Sequence, residues 1–165
     1  MARVSDEELH QLAVELADRL CARGWMLATA ESCTGGWVGQ LLTSLPGSSQ
    51  WYERGFITYA NAAKVEMLGI PEATLATHGA VSEQTASAMA AGALKHSHTQ
   101  AALAISGIAG PGGGTPQKPV GLVCYGWALA DGTVMSSTCR LDGDREEIRS
   151  RAVAAALRGL IELIG

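Results

Sequence analysis

The chain has 165 residues and a formal net charge of −4, enough for a domain of ordinary size with a real core. Hydrophobic residues make up 47% and charged residues only 17%, so much of the chain must be buried, in a core or at a subunit interface. An acidic balance without a Lys/Arg cluster argues against nucleic acid as the main partner, and no apolar run approaches the roughly 20 residues of a membrane span.

A capping-box pattern, Ser5 followed by Glu8, opens a first helix whose Leu9, Leu12, Ala13, Leu16 and Leu20 fall at helical spacing, and Gly24 ends it. "WMLATA" is short and apolar enough for a buried strand. It runs into the polar knot Glu31-Ser32-Cys33-Thr34, then Gly35 and Gly36, then a helix carrying Val38, Leu41 and Leu42 that Pro46-Gly47 closes. "GFITYAN" reads as a second strand leading directly into the helical "NAAKVEMLGI", with one short helix over Pro71 to Thr77. Ser82 can cap an Ala-rich helix to about Lys95, and "AALAIS" is a third strand. After the glycine-rich "GIAGPGGGTPQKPVG", the segments "LVCYGWALA" and "TVMSSTCRL" form a hairpin through Asp131-Gly132. A last helix runs from about Asp144 to Ile164. Strands alternating with helices, plus one hairpin, predict an α/β fold: a three-layer α/β/α sandwich with a mixed β-sheet, residues 1–165 forming one domain.

Why does a chain place Ser32 and Cys33 side by side at the end of a buried strand? A strand-to-helix turn sets side chains at the carboxyl end of a sheet, where α/β proteins usually build sites. There the amides of Cys33 and Thr34, at the mouth of the following helix, would be oxyanion candidates, unless Ser32 or Thr34 simply caps that helix. Either Ser32 or Cys33 could be a nucleophile, and the choice needs a base. His10, His96 and His98 lie in polar helical or helix-end settings, and His78 brings no orienting partner, so a Ser-His-Asp arrangement is poorly supported. The chain also has no G-x-S-x-G elbow.

Lys64 is the other base. If Asn61 caps its helix, Lys64 lies in the first turn, near the positive end of the dipole, where a cation is out of place. Dipole and burial would both lower its pKa from roughly 10.4 toward the 7–8 useful for a general base. Tyr59, just before it, is placed to contact a substrate or to be an edge residue. The glycine loop exposes backbone donors suited to a phosphate or carboxylate but is neither a P-loop nor a dinucleotide fingerprint. Arg145, at the start of the last helix, could pair with a phosphate. Cys21, Cys33, Cys124 and Cys139 have no C-x-x-C pairing and no metal-site spacing, and read as reduced thiols. With no signal pattern at the N-terminus, a cytoplasmic protein is expected.

Taken in order, "TAESCTGG", "ITYANAAKVEMLGI", "HGAVSEQTASAMA", "ISGIAGPGGGTPQKPVG" and "GDREEIR" resemble the motifs of the CinA C-terminal domain family, the nicotinamide mononucleotide deamidases or PncC-type amidases. The similarity runs from about Ser5 to the C-terminus. It implies a serine amidohydrolase that converts nicotinamide mononucleotide and water to nicotinic acid mononucleotide and ammonia, in pyridine nucleotide (NAD) salvage, with no metal or organic cofactor. By this likeness Ser32 is the nucleophile, Lys64 the base of a Ser-Lys dyad, and Tyr59 and Arg145 substrate-binding. Thr34, Asn61, Ser106, Gly107, Gly112, Gly113 and Thr115 are assigned to the pocket, and Cys33 to packing or, through its amide, the oxyanion hole. The resemblance further implies a small-molecule nucleotide substrate and a homo-oligomer (dimer or higher). Many members carry a second, molybdopterin-binding-like domain N-terminally, and a chain that opens on a capped helix is expected to lack it. Three other readings compete: a non-catalytic nucleotide-binding or regulatory module of the same fold, a Ser-Lys amidase or esterase acting on another substrate, and a competence or DNA-damage partner protein.

Overall fold

The computed structural model describes residues 2–165. Helix α1 (Asp6–Arg23) starts where the Ser5 side chain accepts from the Glu8 amide and ends at left-handed Gly24. Only half of the predicted capping box forms. The Glu8 carboxylate does not return to Ser5 but pairs with Arg158 of the last helix, a long-range partner that local spacing does not reveal.

Strand β1 (Leu27–Glu31), helix α2 (Trp37–Thr43) and a 3₁₀ turn (Ser48–Gln50) follow, then strand β2 (Tyr52–Ile57). Helices α3 (Asn61–Leu68), α4 (Glu72–His78) and α5 (Glu83–Lys95) precede strands β3 (Ala101–Gly107), β4 (Leu122–Leu129) and β5 (Val134–Arg140), and helix α6 (Arg145–Ile164) completes the chain. Ser82 caps α5, and Asp144 forms a full capping box with Glu147 at α6. β2 starts and stops earlier than "GFITYAN" predicts. After Ile57 the chain leaves the sheet, and Thr58 stays tied to it only by donating its amide to the Glu31 carbonyl.

The five strands form one mixed sheet in the order β2-β1-β3-β4-β5, parallel across β2-β1-β3 and antiparallel across β3-β4-β5. Alternation along the strands separates two faces. Leu27, Leu103, Ile105, Val123, Tyr125 and Trp127 pack with α1, α2 and α6, the bulkier side of the core. The opposite face of these strands is built from small residues, Ala28, Ala30, Ala102, Ala104 and Ala128, and receives Met89, Ala90 and Ala93 of α5 and Leu68 of α3. Small side chains there let α5 approach closely. Gly126 has no room for a Cβ, which would collide with the Ala86 carbonyl. The architecture is an α/β/α sandwich with a mixed sheet.

This topology places the site. β1 connects to β2 on one side, while β3 lies on its other side, so the connections diverge at the carboxyl ends of β1 and β3. Such a divergence opens a crevice above the sheet. Ser32 follows β1, Thr58 and Tyr59 follow β2, and Ser106 and Gly107 end β3.

Candidate active site

Ser32 sits on a turn held from two sides. From within, the buried Glu31 carboxylate accepts from Thr34 Oγ1 at 2.7 Å, Val38 N at 2.9 Å and Gly39 N at 3.1 Å. From α6, Arg149 donates to the carbonyls of Cys33 (Nε, 3.0 Å) and Thr34 (Nη2, 3.1 Å). The Ser32 amide donates to Ile105 O of the neighbouring strand at 3.0 Å. Gly35 (φ 58°) and Gly36 (φ 103°) take left-handed conformations that let the chain turn back into α2.

Helix α2 therefore begins at Trp37, three residues beyond Thr34, and its cap is not the one expected from sequence. Neither Ser32 nor Thr34 caps it, and Gly36 at the N-cap has no side chain to do so. The Glu31 carboxylate, five residues upstream of that N-cap, instead accepts from the Val38 and Gly39 amides of the helix's first turn. The amides of Cys33 and Thr34 are consequently not at the helix mouth. They belong to the turn itself, and among the described residues neither donates to a backbone carbonyl.

Lys64 approaches from α3. Asn61 does not cap that helix. Ala60 occupies the N-cap without a side-chain bond, and exposed Asn61 is the first helical residue. Lys64 remains in the opening turn, its own amide donating to Ala60 O. Its side chain is 1% exposed and ends against three oxygens: Ser32 Oγ at 3.0 Å, Thr58 O at 2.8 Å and Tyr59 O at 3.2 Å. Burial pushes its pKa below the ordinary lysine value.

The hydrogen-bond count on that nitrogen is informative. A charged ammonium would donate all three bonds. A neutral amine has two hydrogens, which the two carbonyls must take because carbonyls only accept, and its lone pair then faces the Ser32 hydroxyl. The early exit of the chain from β2 creates this arrangement, since it supplies both carbonyls.

A cavity of about 190 Å³ opens above the pair, lined by Ser32, Cys33, Tyr59, Lys64, Ala80, Val81, Ser106, Gly107, Ala109 and Arg145. Ser106 is buried and donates Oγ–H to Ala80 O at 2.7 Å. Arg145 donates Nη1 to Gly110 O at 2.7 Å and Nη2 to the Tyr59 hydroxyl at 3.3 Å, at the cavity rim. Cys33 faces the same space, but burial pushes its thiol up to about 12, against the weaker opposing effect of Arg149.

Of the residues named from sequence, Ser32, Cys33, Tyr59, Lys64, Ser106, Gly107 and Arg145 line this cavity. Thr34 is turned to Glu31. Asn61, Gly112, Gly113 and Thr115 are exposed and outside the lining, and Thr115 Oγ1 accepts from the Lys118 amide to close the glycine loop on itself. Sequence reasoning missed two supports, Glu31 and Arg149. The acidic residue at the end of an otherwise apolar strand was a signal for the first, whereas nothing local marks Arg149. Among the described residues no group of three His, Cys, Asp or Glu side chains is placed to hold a metal ion, and no helix is long and apolar enough to cross a membrane.

The sequence model of the CinA C-terminal domain matches residues 9–164. The chain belongs to the CinA C-terminal domain family. Within that family it is 50% identical over 157 residues to the nicotinamide-nucleotide amidohydrolase PncC of Escherichia coli K12, covering 95% of both chains. It is 47% identical over 155 residues to the PncC protein of Enterobacter agglomerans, covering 94% of each. Among solved structures of CinA proteins, the competence/damage inducible protein CihA from Agrobacterium tumefaciens superposes with a TM-score of 0.91 at 46% identity, over 99% of this chain and 98% of that one.

Proposed function

We propose that the protein is a nicotinamide-nucleotide amidase that hydrolyses nicotinamide mononucleotide to nicotinic acid mononucleotide and ammonia through a Ser32–Lys64 dyad. The observation that carries this reading is the buried lysine 3.0 Å from Ser32 Oγ, with two carbonyls to take its protons and no carboxylate bonded to it. Its chemistry fits the amidohydrolase activity in the relatives' names.

In the first half-reaction the neutral amine of Lys64 takes the Ser32 hydroxyl proton as Oγ attacks the carboxamide carbon. The amides of Cys33 and Thr34 are the donors proposed for the resulting oxyanion. Collapse of the tetrahedral species breaks the C–N bond, and the Lys64 ammonium delivers its proton to the departing nitrogen as ammonia. In the second half-reaction Lys64 takes a proton from water as its oxygen attacks the Ser32 ester. The proton then returns to Oγ as the free acid leaves. Atoms balance: one amide and one water give one acid and one ammonia, with no cofactor.

A cavity of about 190 Å³ suits the pyridine-carboxamide end of the substrate and leaves the ribose phosphate at the rim, beside Tyr59 and Arg145. One arginine can hold a phosphate there in a protein of net charge −4. Residues 1–165 would act as one amidohydrolase domain, and the family likeness extends the reading to a cytoplasmic homo-oligomer in NAD salvage. The test is ammonia release from nicotinamide mononucleotide by the purified protein, with Ser32→Ala beside it. Release by the parent and none by the variant is the expected result. A parent protein that binds the nucleotide without releasing ammonia would leave a regulatory module in its place.

A further inference from the structure

Ser106 offers a sharper constraint than membership of the cavity lining. Its Oγ lies 2.7 Å from Ala80 O, and a carbonyl oxygen cannot donate, so the hydroxyl proton is committed to that bond. The serine oxygen can then only accept from anything that enters the cavity. The backbone carbonyls nearby already hold donors of the protein's own. Lys64 occupies the carbonyls of Thr58 and Tyr59, Arg149 that of Cys33, and Arg145 that of Gly110. Arg145 has donors only, and the Tyr59 hydroxyl lies at the rim on a residue 64% exposed. Apart from the nucleophile itself, Ser106 Oγ is the buried side-chain oxygen lining this cavity.

A primary carboxamide has one accepting oxygen and an NH₂ group that must donate, whereas a carboxylate only accepts. We infer that Ser106 Oγ receives an N–H of the scissile carboxamide, and that this makes the site selective for amide over acid. The carboxylate product would set a negative oxygen against the serine lone pairs, without a proton between them, and would be expelled. The inference rests on the amidase reading above and adds to it a specificity-determining residue that favours product release. The Ala80 contact is part of the device, because an untethered serine could rotate its proton toward the cavity and accommodate either group.

The experiment is calorimetric binding to Ser32→Ala protein, which holds the amide without turning it over. Nicotinamide mononucleotide and nicotinic acid mononucleotide are titrated into this protein and into the Ser32→Ala/Ser106→Ala double variant. With Ser106 present the amide should bind about tenfold more tightly than the acid. Without it, amide affinity should fall about five- to tenfold, the range for one neutral hydrogen bond, while acid affinity holds or improves. An equal loss for both ligands would reduce Ser106 to a packing residue, and unchanged affinities would remove it from recognition. Thermal unfolding reports whether the double variant folds. If it does not, Ser106→Cys replaces it, since sulfur keeps the volume but accepts weakly. Failure of Ser32→Ala protein to bind either nucleotide would instead count against the amidase reading, and this inference would fall with it.

Discussion

The turn at residues 31–36 and the glycine loop at 108–120 look alike in sequence, both short, polar and rich in glycine, yet they are built differently. In the turn, the carboxylate of Glu31 and the guanidinium of Arg149 hold the backbone that follows Ser32, at Cys33, Thr34, Val38 and Gly39, from within the protein. The loop is attached at a few points, Arg145 to Gly110 O and Lys118 to His78 O, and its tip at Gly112, Gly113 and Thr115 stands in solvent. Unusual composition therefore marked both segments, but two side chains pin the short turn that carries Ser32, whereas the much longer loop is held at a few points and its tip is free of them. A group that must stay within a few tenths of an ångström of its partner needs that kind of support.

Four measurements test this contrast. The largest effect is expected for Lys64→Ala: loss of turnover by about a thousandfold or more, with circular dichroism unchanged. Full activity in a folded variant would remove the dyad.

Glu31→Ala should come next. It leaves the buried Val38 amide and the half-buried Gly39 amide without acceptors, costing about 1–3 kcal/mol in denaturant unfolding, and by displacing Ser32 it should lower kcat by about ten- to a hundredfold. A variant that loses stability but keeps kcat would mean that Glu31 only caps α2.

The third test is pH. If Lys64 must be neutral to act, the rate should fall about tenfold per unit below its pKa, which burial sets below the ordinary value. Stability should respond with a defined sign. Between the lowered folded pKa and the ordinary unfolded one, the unfolded chain binds the extra proton. The unfolding free energy of the parent should thus rise with pH across that window relative to Lys64→Met. Below the folded pKa the burial penalty is fully present and the difference should be flat.

The smallest effect is expected in the loop. Nothing lies within 4 Å of where a Cβ on Gly112 would be, so Gly112→Ala should change kcat/KM by less than about twofold. A large loss would show that the loop tip enters the reaction.

Much of this molecule was legible before its structure, and for local reasons. Ser82 caps the helix it precedes, the last helix starts beside Asp144, Gly24 ends α1, and Asp131-Gly132 joins β4 to β5, because these signals act within a few residues. The alternation of strands with helical patterns gave the layered sandwich. Five motifs in order gave the family. Lys64 was conspicuous as a cation in the first turn of a helix, although the cap assigned to Asn61 belongs to Ala60.

What the tertiary structure alone decided depends on partners far apart in the chain. The side-chain bond between Ser32 and Lys64 spans 32 residues, Arg149 reaches the Cys33 carbonyl across 116, and Glu8 leaves its own helix start for Arg158. Where β2 ends was also not written locally. The chain leaves the sheet at Thr58, and its carbonyls there point the lysine at the serine. The commitment of the Ser106 proton to Ala80 has the same origin. Residue type supplies the donors and acceptors, but which of them remain free at a site is set only when the folded backbone has claimed the rest.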